Sequence, residues 1–133
     1  MSLETPLHKV RGMGSAHSGV SHFWRQRVTA AALIPLSIWF GVSLLGLVGA
    51  HEAATLTFLS QPLNAILMAS FVIILLYHMA LGLQVVIDDY IHNDGQKLVL
   101  MLLMRGFAIA AGATSIFALL RIAGPLDERL QHR

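Results

Sequence analysis

An all-α membrane protein with three transmembrane helices is the fold class this chain of 133 residues predicts, and three observations predict it. Hydrophobic residues make up 56% of the chain and charged residues only 12%, where soluble domains carry roughly a quarter charged residues. Mean hydropathy is correspondingly high, at +0.68. Uncharged or nearly uncharged apolar runs extend over residues 28–50, 63–87 and about 98–122, each long enough to supply the ~20 residues that cross a bilayer. The third run is interrupted early by Arg105. With short polar stretches between the runs, the chain divides into an N-terminal arm (1–20), a three-helix anchor (21–123, helices at about 22–50, 62–91 and 97–123) and a C-terminal tail (124–133).

The arm carries Gly12, Gly14 and Gly19 with Ser15 and Ser18, and no periodic apolar face. It reads as a flexible segment that needs another surface to order it. Ser21 is placed to cap the first helix, and His22, Phe23 and Trp24 suit the aromatic belt at the headgroups. Arg25 and Arg27 sit where cations meet lipid phosphates. The first apolar run is longer than the ~7–15 residues of a signal-peptide core, so it is expected to stay in the mature protein. The preceding segment lacks the Arg-rich amphipathic pattern of a transit peptide, and a bacterial inner membrane is the simpler address. Pro35 removes a backbone donor inside the first helix and predicts a kink near residues 31–35. Residues 51–61 read as a loop. Pro62 suits the first turn of the second helix, where its missing N–H costs nothing. The run His92, Asn93, Asp94, Gly95 signals a turn into the third helix.

The absence of cysteine excludes disulfides, thiolate-ligated haem and iron–sulfur clusters on this chain, so a redox cofactor would have to be held by His or Met. The net charge of +2 and pI near 9.5 do not point to nucleic acid, because the cations lie at membrane boundaries and not on one soluble face. They set topology instead. Lys9, Arg11, Arg25 and Arg27 precede the first run, residues 51–61 hold no Lys or Arg, and Lys97 follows the second run. The positive-inside rule then predicts a cytoplasmic N-terminus and a periplasmic C-terminus. Arg121, Arg129 and Arg133 dissent, but charges at the first helix usually dominate.

His78 is the most informative residue, an imidazole inside the second apolar run. Ionisable groups at membrane depth are costly and generally bind something. Asp89 follows eleven residues later, about 20° away on the same helix face and ~16 Å further along the axis. Phe71, Val85, Gly82 and Asn64 share that stripe within about 40° of His78. Gly82 leaves room either for a planar macrocycle or for a close helix contact. His78 itself reads either as interhelical glue, bonded to a neighbouring helix, or as an axial ligand to haem iron. The chain has no second membrane-buried His, so a bis-His haem would take its other ligand from a partner protein. Asp88 and Asp89 oppose the helix dipole at a C-terminus and call for a compensating partner or ligand. With Tyr90 they could hydrogen-bond a quinone and relay protons. Arg27 reads as a lipid anchor or a propionate clamp, and Arg105, Trp24 and Trp39 as anchors and packing.

The run from His78 through Gly82 and Gln84 to Asp88, Asp89 and Tyr90, preceded by Ser21-His22-Phe23-Trp24-Arg25-Gln26-Arg27-Val28-Thr29-Ala30, resembles the hydrophobic membrane anchor subunits of bacterial succinate dehydrogenase, respiratory complex II. The resemblance implies a membrane anchor of succinate:ubiquinone oxidoreductase, active only within the complex of aerobic respiration and the tricarboxylic acid cycle. It implies that His78 is an axial ligand to the iron of haem b, with the second ligand on a companion three-helix anchor, the cytochrome b subunit. It also implies that Tyr90 bonds ubiquinone, that Asp89 is the acid beside it with Asp88 an alternative, and that Arg27 lies near the haem propionates and quinone. Flavin and iron–sulfur clusters would belong to soluble subunits, with the iron–sulfur protein in direct contact and the flavoprotein attached through it. Two rival readings remain from the residues alone. One is a proton-coupled transporter using His78 and Asp89 as a relay. The other is a structural anchor without cofactor.

Overall fold

The computed structural model describes residues 15–124, with side chains from residue 19 onward. The first fourteen residues of the expected arm and the tail from residue 125 lie outside the described residues. The described residues form four helices: α1 (Ser15–Leu47), α2 (Glu52–Ser60), α3 (Pro62–Tyr90) and α4 (Asp94–Ala123). Three of them are long and apolar enough to cross a membrane, over Gly19–Leu47, Pro62–Tyr90 and Asp94–Ala123. The expected all-helical, three-span architecture is what the chain adopts.

The helix limits differ from expectation at three places. First, α1 begins at Ser15, so residues 15–20 are helical and Ser21 is an interior residue whose carbonyl accepts from Arg25 Nε at 3.3 Å. At 33 residues α1 spans ~50 Å, well beyond the ~30 Å hydrocarbon layer, so its polar start needs no apolar periodicity to be helical. Second, residues 51–61 are not a plain loop, because Glu52–Ser60 form α2. Glu52 in its first turn suits the helix dipole, and Gln61 ends it in an extended conformation just before Pro62 opens α3. Third, α4 starts at Asp94, capped by Asn93, whose side chain accepts from the Gln96 N–H at 3.1 Å. α1 stays helical through Pro35 and ends where Gly49, at φ 78°, takes up the left-handed conformation that a β-carbon would strain.

α3 is the central element. It packs against α1 on one side and α4 on the other, while α1 and α4 make only marginal contact with each other. The core is correspondingly thin: among the described residues only Leu33, Phe71, Leu81 and Leu119 are buried apolar side chains, with Asn64 the one buried polar side chain. Large apolar side chains such as Leu45, Val48 and Ile109 are more than 70% exposed, a surface that only lipid or other membrane helices can cover. Toward the α2 end, Phe40 and Phe71 stack with ring centroids 4.8 Å apart, and Trp39 stacks on Phe58 at 6.3 Å. Asn64 is pinned there by donating to the Phe58 carbonyl and to Gln61 Oε1, both at 3.0 Å.

Candidate functional site

His22, Gln26, Thr29, Leu33 and Phe40 recur on α1 at helical spacing, and this is the face turned to α3. Its apolar members lie toward α2, and its polar members lie toward the other rim. Opposite them, the stripe expected on α3 is observed in part. Phe71 stacks on Phe40, His78 meets Thr29, and Gly82 faces Gln26, whose Nε2 lies 3.6 Å from where a β-carbon on Gly82 would stand. A β-carbon there would stand at ordinary contact distance from Gln26, so the α1–α3 contact does not itself require a glycine at this position. Val85 and Asp89, nearer the rim, are exposed.

His78 Nδ1 lies 2.9 Å from Thr29 Oγ1. A hydroxyl has one proton to donate, and the shortest acceptor for it is the Arg25 carbonyl at 2.7 Å, with the Gln26 carbonyl at 3.1 Å. With that proton on the Arg25 carbonyl, Thr29 Oγ1 is an acceptor for His78 Nδ1–H, the tautomer that carries its lone pair on Nε2. That is the arrangement by which an outer hydrogen bond fixes the tautomer of a metal-ligating histidine. Nε2 has no hydrogen-bond partner among the described residues. A lone imidazole with a free ring nitrogen fits an axial haem ligand, and among the described residues no three His, Asp or Glu side chains converge on a metal position. One and two turns nearer the rim, Gln26 Oε1 and His22 Nε2 are buried without partners among the described residues.

At the end of α3 the two acids differ. Asp88 Oδ1 forms an ion pair with Lys97 Nζ at 2.6 Å, which supplies the compensation that a carboxylate at a helix C-terminus requires. Asp89 has no such partner among the described residues. Both acids line a polar cleft of about 490 Å³ with Gly19, His22, Arg25 and Arg105. Tyr90 is 76% exposed, outside that cleft. Arg27 is not brought near His78 within this chain. It lies about 160° round α1 from Thr29, with its guanidinium 5.1 Å from the centre of the Phe23 ring. Arg25, about 40° from Thr29, instead reaches inward, donating to the Tyr77 hydroxyl at 3.4 Å.

Residues 1–112 match the family model described as succinate dehydrogenase/fumarate reductase transmembrane subunit. The chain belongs to the family of succinate dehydrogenase membrane anchor subunits. Among its relatives, the succinate dehydrogenase hydrophobic membrane anchor subunit of Paracoccus denitrificans is 32% identical over 89% of this chain and 91% of its own length. The corresponding protein of Rickettsia bellii is 36% identical over 76% of this chain and 81% of its own, and that of Reclinomonas americana 30% over 80% and 88%. No solved structure matches the chain. A succinate dehydrogenase anchor with three apolar helices is a multi-pass membrane protein, and membership of a complex removes the grounds for an independent transporter.

Three polar residues that line the site of this anchor were not singled out from sequence. Thr29 in a helix is indistinguishable by type from any threonine bonded to its own preceding turn, and only the α1–α3 register brings it to His78. Its spacing of four and seven residues from Arg25 and His22 was the available signal. Arg25 and Arg105 read as headgroup anchors, yet both line the clefts beside α3.

Proposed function

We propose that the chain anchors succinate:ubiquinone oxidoreductase in a bacterial inner membrane, N-terminus inside and C-terminus outside, and contributes both a haem b ligand and part of the ubiquinone site. The observation that carries the reading is the Thr29–His78 hydrogen bond, which leaves Nε2 of a membrane-depth imidazole oriented and free to bind iron. Bound there, a b-type haem supplies one-electron redox capacity between the soluble dehydrogenase and quinone. His78 would hold the iron, and the companion cytochrome b anchor would supply the other protein ligand. Arg27, on the face turned away from α3, is available to a propionate or a headgroup at the boundary between the two anchors. Quinone reduction takes up a proton with each electron. Tyr90 donates its phenol to a quinone carbonyl, and Asp89, free where Asp88 is tied to Lys97, passes the proton. The iron–sulfur protein sits on this rim and carries the flavoprotein with it. The test is the visible spectrum of the co-purified complex: His78→Leu is expected to abolish the six-coordinate b-type signal, and an unchanged spectrum in an assembled variant removes the ligand assignment.

A further inference from the structure

Because α1 and α4 scarcely touch, a groove of about 440 Å³ opens between them, floored by α3. Its length is apolar, running along Ile73, Leu76, Ala80, Ala108 and Gly112, and the small side chains among these keep it open. One end is entirely different. There Arg25, Tyr77, Gln84 and Arg105 converge, and every one of them can donate hydrogen bonds. Arg25, Leu81, Gln84 and Arg105 also line the polar cleft toward Asp88 and Asp89, so groove and cleft adjoin across these four residues.

The two guanidiniums demand an explanation. Arg105 stands eleven residues into α4, ~16 Å along its axis from Asp94, where a lone cation is costly. Neither it nor Arg25 pairs with a carboxylate among the described residues, the one ion pair there being Lys97–Asp88. Arg25 reaches the neutral Tyr77 hydroxyl and Arg105 has no hydrogen-bond partner among the described residues. Two unneutralised cations at the head of an apolar trough complement an amphiphile with an anionic head and a hydrocarbon tail.

We infer that this groove is a binding site for one anionic phospholipid of the leaflet on the Lys97 side. Its phosphate lies between Arg25 and Arg105, within reach of Gln84, and one acyl chain lies along α3 between α1 and α4. The cleft beyond the arginines gives the headgroup its passage from the rim. Asp89 at the mouth of that cleft disfavours a highly charged head and suits a phosphate carrying a neutral alcohol, as in phosphatidylglycerol. In this role the lipid closes a gap between two helices that cannot close it themselves.

The experiment is native mass spectrometry of the intact complex released from nanodiscs of phosphatidylcholine containing phosphatidylglycerol. Wild type is expected to keep one phosphatidylglycerol that phosphatidylcholine does not replace. Arg25→Gln and Arg105→Gln each weaken its retention roughly tenfold, the worth of one charge-assisted hydrogen bond, and the double variant loses it. Arg105→Lys retains most of the binding, while Ala108→Leu fills the trough without altering charge and ejects the lipid. A wild-type complex that holds no tight lipid, or holds phosphatidylcholine equally well, overturns the inference. So does an unchanged lipid count in the double variant or in Ala108→Leu, or a photo-crosslinker at Ile109 that captures a companion helix and no lipid. Should the double variant fail to assemble, the wild-type lipid preference and Ala108→Leu decide. The haem reading fails separately: loss of the b-type spectrum with the lipid retained leaves this inference standing.

Discussion

The two halves of the α1–α3 contact are built on opposite terms. Toward α2 the contact is finished within the chain. Phe40 stacks on Phe71, Leu33 is buried, and Asn64 has its amide donors satisfied by the Phe58 carbonyl and Gln61. Toward the other rim the same two helices face each other with His22, Gln26 and Thr29 against His78 and Gly82, and atoms are left unpaired: among the described residues His22 Nε2 and Gln26 Oε1 are buried without partners. A chain selected only for stability would not leave buried polar atoms unsatisfied beside an imidazole, since each costs about 1–3 kcal/mol. The difference teaches that one half fixes how α1 sits on α3, while the other brings His78 against Thr29 and keeps polar atoms open, as the proposed ligand role of His78 requires.

That division is open to direct attack. The largest effect is expected in the finished half: Phe71→Ala removes one ring of the stacked pair and should lower the stability of the assembled complex by about 3 kcal/mol, read as a thermal shift in detergent. Its b-type spectrum should persist in whatever fraction assembles. In the unfinished half the order reverses. Thr29→Val keeps shape but removes the hydrogen bond to His78 Nδ1, and haem retention is expected to fall roughly 10–100-fold, measured as haem per complex after dilution. Its thermal shift should be small, because membrane-buried interhelical hydrogen bonds average about 0.6 kcal/mol. Thr29→Ser should restore haem. If Thr29→Val melts the complex while holding haem like wild type, the two halves have been assigned the wrong way round.

The same contrast explains what could be read in advance. The three spans were legible because runs of more than about 20 apolar residues have no other stable environment than a bilayer or a large core. The α3 stripe from Phe71 to Asp89 was legible because helical periodicity alone aligns it. The short α2 was not, since nine residues with no apolar run of transmembrane length differ little from a loop until Trp39 and Asn64 are known to pack on them. Nor did residue type separate Arg25 from Arg27. They lie two positions apart and about 200° apart round the helix, and only the direction of α3 decides which one turns inward. Helical periodicity put Asp89, and not Asp88, on the His78 face, but it did not show the second difference between them, the pairing of Asp88 with Lys97, which arrives by the turn capped at Asn93.

Smaller effects sharpen the picture at its two ends. Asn64→Leu removes one hydrogen bond to the Phe58 carbonyl of α2 and one to Gln61 between the helices, and should cost about 0.6–1.7 kcal/mol in thermal stability of the complex, with no change in the visible spectrum. A spectral change there would mean that the α2 end transmits to His78, contrary to the division drawn above. The smallest effect is expected at the opposite rim. Lys97 and Asp88 are paired at 2.6 Å, but their side chains are 33% and 41% exposed, so water screens the pair, and Lys97→Ala should lower stability by only about 0.2–1 kcal/mol. Its value lies in quinone reductase activity. With Lys97 gone, Asp88 is as free as Asp89, and a relay that uses Asp89 alone should keep its rate. Asp89→Asn should then abolish most activity in either background, whereas Asp88→Asn should do little in both. Recovery of an Asp89→Asn enzyme by the additional Lys97→Ala change would show that the ion pair, and not position on the helix, is what keeps Asp88 out of the proton path.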